Sequence, residues 1–350
     1  MNHPSGSLPP PDRATLWLRR RLGRAVVLSY LAALLLPGPG LWLRREHTLP
    51  LGTVTGLSLS TGPLLLALVL FSAGFQVPVR ELGRLLRSPT ALLAGLVLHL
   101  AVPLLVIPVV AFLLRQTPDA DGGSGLVTAM ILIVAMPVAA GATVWTDKDD
   151  GGQPTMVGLV LASTLLSPLT IPLVITTMAP LLSDDYADTL TTTGNAAHGG
   201  FALVGVVLPC AAGLLCRLTL PTAWRGRTLG VVVLAALVGS LALTYVNASG
   251  ALGSFLAHPR PLLFGAALVV AALVCLLSFA LGLTAARLLR LDAPHSSSLT
   301  LACGMNNSSA SAVLITTTLP DKPHLLLPVL VYGLLQKTAA SRVVAATSRA

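Results

Sequence analysis

Asn306, Asn307, Ser308, Ser309 and Ser311 place five hydrogen-bonding side chains in the middle of an apolar run, 297–318, long enough to cross a bilayer. Such groups bind polar ligands, coordinate ions through oxygen, or tie one helix to another. Hydroxyl and small residues at membrane depth let helices approach closely, and amides bond across interfaces. That accounts for Ser308, Ser309 and Ser311 as packing residues. Two adjacent amides fit less well, because helix neighbours point about 100° apart and need separate polar partners. Asn306 and Asn307 are therefore read first as a binding site and second as packing.

Two basic or titratable side chains share this depth, His99 in "LVLHLAV" and Lys337 in "VYGLLQKTAAS". For His99, a ring satisfied by a neighbouring carbonyl is the plainer reading, with a proton-sensitive site behind it. Lys337 either snorkels to the headgroups or faces a site as a tethered cation. All 13 carboxylates, from Asp12 to Asp321, fall in predicted loops or tails. An intramembrane cation site or proton relay normally leaves an acidic residue in a span. Cys210, Cys216, Cys275 and Cys303 show no paired metal-ligand spacing and are read as buried small apolar residues. Catalysis finds no footing: there is no H-E-x-x-H, no intramembrane aspartate pair, and no G-x-S-x-G.

The elements that must position these groups follow from composition. With 54% hydrophobic and 10% charged residues, the chain lies far from a soluble domain, where about a quarter of residues are charged. A spanning helix needs roughly 20 mostly apolar residues. Ten such segments are predicted, at 25–43, 53–75, 90–114, 125–145, 155–181, 200–220, 228–246, 261–285, 297–318 and 324–344. With the N-terminus inside, 17 of the 22 Lys and Arg residues lie on the cytoplasmic side, leaving Arg44, Arg45, Arg115, Arg260 and Lys322 outside. The net charge of +9 then reports topology and affinity for anionic headgroups, with no nucleic-acid partner needed.

Ten divides into five and five, and an odd repeat forces its second copy to insert upside down. The expected organisation is a basic cytoplasmic segment 1–24, ending in an interfacial helix, a first repeat 25–181, an acidic outer linker 182–199, a second repeat 200–344 and a cytoplasmic tail 345–350. The fourth segment carries "AMPVAAGATVW", 135–145, and the ninth "CGMNNSSASA", 303–312. Irregular backbone at that depth survives only where protein or a water-filled cavity satisfies it, and matched interruptions in two halves point to a binding site.

"VLFSAGFQVPVRELGRLLRSPTALLAGLVLHLAVPLL" (69–105), "MPVAAGATVWTDKDDGGQPTMVGLVLASTLLSPLTIPL" (136–173) and the stretch 298–341 around "GMNN" together resemble the bile acid:sodium symporter family. The resemblance implies an all-α polytopic membrane protein: ten transmembrane helices in two inverted five-helix repeats, panel and core domains, and broken helices 4 and 9 crossing beside the substrate and ion sites. It places Thr143, Met305, Asn306, Asn307 and Ser308 at that crossover. Sodium-coupled members typically carry oxygen-bearing side chains where this chain has Ala142, Met156, Val160 and Ala302, and a Gln at Asn306. Sodium therefore remains possible as a cofactor but unsupported by the ligands. The expectation is a multi-pass cell-membrane carrier, both termini cytoplasmic, moving a small organic anion among membrane lipids with sodium coupling weakened or lost. The alternative is a transport-inactive sensor or scaffold of the same descent.

Overall fold

The computed structural model describes residues 14–18, 21–45, 47–49, 57–77, 90–115, 123–146, 152–257, 259 and 261–347. After a helical turn at 14–18 come α1 (Leu22–Leu35), α2 (Pro37–Arg44), a two-stranded antiparallel pair β1 (His47–Leu49) and β2 (Leu57–Leu59), α3 (Thr61–Phe75), α4 (Thr90–Leu114) and α5 (Ser124–Val134). A 3₁₀ turn at Ala140–Val144 leads to α6 (Gly152–Met178). Then α7 (Asp184–Ala196) widens into π-type turns at Ala197–Val207 and continues as α8 (Leu208–Thr219). The chain ends with α9 (Thr222–Ala257), α10 (Pro261–Leu288), α11 (Ala293–Gly304), α12 (Ser308–Thr318) and α13 (Leu326–Thr347).

Among the described residues, five helical stretches, Thr90–Leu114, Pro154–Leu181, Gly200–Thr219, Trp224–Gly253 and Pro261–Leu288, are long and apolar enough to cross a membrane, and the bent pair α1–α2 would make a sixth if it is one span. In α4, Leu93, Val97, Leu104, Val109 and Phe112 face outward while Val102, Val106, Ile107 and Val110 are buried. A helix apolar on every side has no water-facing side, as a lipid surround requires. Pro103 and Pro108 lie within α4, and Pro168 and Pro172 within α6; the Thr164 carbonyl freed by Pro168 accepts from Ser167 Oγ at 2.7 Å. α5 is the opposite case, with nearly every side chain buried at the centre of the bundle.

Three expectations are corrected. The first segment, 25–43, is not one straight helix: α1 and α2 meet at 91°. Leu36 precedes Pro37, which disfavours helical backbone at Leu36 and removes an N–H donor. The second segment is helical only from Thr61, since Leu57–Leu59 forms a strand; its start at 53–56 lies outside the described residues. The linker read as an acidic loop contains α7, so Asp184, Asp185 and Asp188 sit on a helix. That helix is tied down at one end. Lys322 pairs with Asp185 at 3.0 Å and lies 4.4 Å over the Tyr186 ring, whose hydroxyl is 3.3 Å from His324 Nε2. The hydrogen bond to the Asp185 carboxylate raises the Lys322 ammonium above its ordinary range. Cys210, Cys275 and Cys303 are buried as expected, whereas Cys216 is half-exposed.

Packing sorts the helices into two sets. α1, α2, α3, α8 and α9 pack on one another, while α4, α5, α6, α10, α11, α12 and α13 form the other set. Within the first, a Cβ on Gly74 would stand 1.9 Å from the Cys210 carbonyl oxygen, and one on Gly213 would stand 1.9 Å from that of Phe71. The α3 and α8 backbones therefore touch through reciprocal glycines.

Candidate functional site

The site grows from two helix interruptions. α5 stops because Met136 precedes Pro137, a position that disfavours helix, and the next residues run extended to Ala139. α11 stops at Gly304, packed so tightly on α10 that a Cβ there would fall 2.3 Å from the Phe279 ring. The two interrupted stretches lie antiparallel to each other, with Val138 opposite Asn306. Ala139 N–H donates to the Met305 carbonyl at 2.8 Å, and Asn307 N–H donates to the Pro137 carbonyl at 3.0 Å. Each break thus supplies partners for the backbone groups that the other frees, which buried amides require.

Side chains complete the satisfaction. Asn306 N–H donates to Gln336 Oε1 at 2.9 Å, and Gln336 Nε2 donates to Ser308 Oγ at 3.3 Å. Asn306 Nδ2 donates to the Tyr332 hydroxyl at 3.0 Å, which itself donates to the Gly304 carbonyl at 3.1 Å. Asn307 Oδ1 accepts from Ala310 N–H at 3.1 Å and so caps α12. Across the crossing, Val138 N–H donates to Ser163 Oγ at 3.1 Å. Gln336, Tyr332 and Ser163 were not singled out from the sequence. The available signal was a glutamine directly before Lys337 and a tyrosine one helical turn earlier.

Beside the crossing lies a cavity of about 450 Å³ between the two helix sets. Its walls include Val26, Val69, Val233 and Leu237 from the first set. Thr143, Met305, Asn306, Asn307, Ser308 and Lys337 all line it, so six of the seven residues expected at a site converge here. They are not equally free to bind. Thr143 Oγ1 donates to its own turn at Ala140 O (2.9 Å), and both asparagines are engaged in holding the breaks. Lys337 is half-buried, and among the described residues no hydrogen bond or ion pair engages its ammonium. His99 stands apart from the cavity, buried on α4 with Nδ1 3.2 Å from the Ala302 carbonyl.

Two broken helices crossing inside an apolar helical bundle, next to a cavity walled by a separate helix set, define a membrane transporter of the broken-helix kind. Residues 63–258 match the model of the Sodium Bile acid symporter family, and the chain belongs to that family. It is also 23% identical, over 72% of its length and 73% of the relative's, to a Bacillus subtilis (strain 168) protein described as "Uncharacterized sodium-dependent transporter YocS". A multi-pass membrane transporter is what these findings establish.

Proposed function

We propose that the protein is a carrier of a small organic anion, binding it in the cavity beside the crossing. The observation that carries this reading is Lys337: it is the one charged residue among the described residues lining the cavity. The N-terminal end of α12, at Ser308 and Ser309, opens onto the same space. A helix N-terminus carries partial positive charge, so both features favour an anion. The apolar walls suit an amphipathic carboxylate or sulfate. A ten-span arrangement of two inverted repeats, with the first helix set as panel and the second as core, is the architecture consistent with antiparallel crossing of the breaks.

The residues present do not fit a sodium ion, which needs a cage of oxygen ligands. Ala142, Met156, Val160 and Ala302 bring no side-chain oxygen, so the side-chain part of such a cage is largely missing. In proteoliposomes, anion uptake is expected to persist unchanged when sodium is replaced by choline at constant ionic strength. Steep, saturable sodium dependence overturns the uncoupled reading. Anion binding without uptake in either medium identifies a sensor.

The distribution of Lys and Arg supports a cytoplasmic location for both termini. Reporter fusions after Leu182 and after Arg349 are expected on opposite faces, outside and inside respectively. Both on one face refutes the duplicated five-span architecture.

A further inference from the structure

The break in the ninth segment has a cost on its carbonyl side. In a continuous helix, Asn306 N–H would bond the Ala302 carbonyl four residues back. Here it is diverted to Gln336 Oε1. Ala302 O is left without its helical donor, and His99 Nδ1 stands 3.2 Å from it. Facing a carbonyl, that nitrogen carries the proton. α4 also packs on α5, the other interrupted helix. His99 therefore sits at the C-terminal end of one half-helix, on a helix packed against both. Such ends carry partial negative charge, and in broken-helix transporters these carbonyl ends are where a coupling cation is held.

We propose that His99 takes a cation's place at the crossing: its ring N–H, tethered by α4, satisfies the freed carbonyl that a mobile ion would otherwise coordinate. Three observations support the substitution. The residue is only 6% exposed, so bulk solvent does not reach the carbonyl past it. Among the described residues, α5, α6, α10 and α11, which pack around α4, contribute no carboxylate to attract an ion. One turn before His99, Gly95 lets α4 close on its neighbours, for a Cβ there would fall 2.6 Å from Leu159 and 3.2 Å from Leu299. The imidazole is thus held against the carbonyl ends by packing. This inference rests on reading the crossing as an ion-coupling site whose ion has been lost, and it names the residue responsible.

The test compares purified wild-type protein with His99→Ala and His99→Gln. The readouts are the thermal unfolding midpoint and radiolabelled sodium binding, in sodium or choline chloride of equal ionic strength. Alanine vacates the place; glutamine keeps a donor and adds an amide oxygen. The wild-type midpoint is expected to ignore sodium. At least one folded variant is expected to gain saturable sodium binding and a sodium-dependent rise in midpoint, because a ligand bound only by the native state stabilises it by mass action. If both variants fold and both remain indifferent to sodium, His99 is a packing residue and the proposal fails, while the anion-carrier reading stands. If the wild type already binds sodium saturably, both the plug and the uncoupled reading fall. Loss of anion uptake in wild-type proteoliposomes, by contrast, refutes only the carrier.

Discussion

Lys337→Gln is expected to weaken anion binding by between ten- and a hundredfold while leaving the protein folded. A hydrogen bond to a charged group contributes about 1.5–3 kcal/mol, and each 1.4 kcal/mol is roughly a factor of ten in affinity. The ammonium has no described partner and lines the cavity, so its removal strands no buried counter-charge. Its loss is therefore read in binding more than in stability. Lys337→Arg keeps the charge and is expected to retain most of the affinity. The contrast with Gln336, one residue earlier, sharpens the test. Gln336 holds both Asn306 N–H and Ser308 Oγ, so its truncation disturbs the crossing itself. If Lys337→Gln binds anions as tightly as the wild type, the ammonium only anchors α13 at the headgroups and the charge for the substrate lies elsewhere.

Among the described glycines, Gly213→Ala and Gly74→Ala are expected to give the largest losses of stability. In each, the new Cβ is directed to within 1.9 Å of a backbone carbonyl oxygen on the facing helix. A flexible side chain yields to such a clash, but two packed helix backbones have to separate. Overpacking of this kind costs typically about 1–3 kcal/mol and sometimes more, and separation also forfeits the dispersion contacts along α3 and α8. Gly265→Ala on α10 is the matched control. Its Cβ meets nothing within 4 Å, so it is expected to leave stability unchanged or raise it by up to about 1 kcal/mol through helix propensity. Unfolding midpoints in detergent compare the three. Equal midpoints for Gly213→Ala and Gly265→Ala show that the α3–α8 contact is loose.

The sequence made the two interruptions legible because their causes are local. Pro137 ends one helix through its own geometry, and a Gly-Met-Asn-Asn run at mid-depth announces the other. Thr143, Asn306, Ser308 and Lys337 line one cavity; the family resemblance implies the crossover for the first three, while residue type and depth leave Lys337 open between a headgroup anchor and a site cation. What each side chain does there did not. Whether an amide binds a ligand or holds a backbone depends on distant partners, and Asn306 meets Tyr332 and Gln336 only through tertiary packing. Apolar content alone carries the predicted span 25–43 through "PGPG" at 37–40, but a residue before proline resists helix, and the chain turns 91° there. The strand at Leu57–Leu59 was missed because a short apolar run fits strand and helix alike.

The reciprocal bonds between Ala139 and Met305, and between Asn307 and Pro137, have a mechanical consequence. Neither interrupted helix moves without dragging the other, since sliding one by a residue strips both of their backbone partners at a depth where water cannot replace them. The crossing behaves as a riveted joint, not as a hinge. Compliance belongs instead to the seam where Val26, Val69, Val233 and Leu237 face the riveted pair, for apolar side chains slide past one another without breaking directional bonds. On the proposed carrier reading, opening and closing the cavity amounts to one rigid helix set rocking against another.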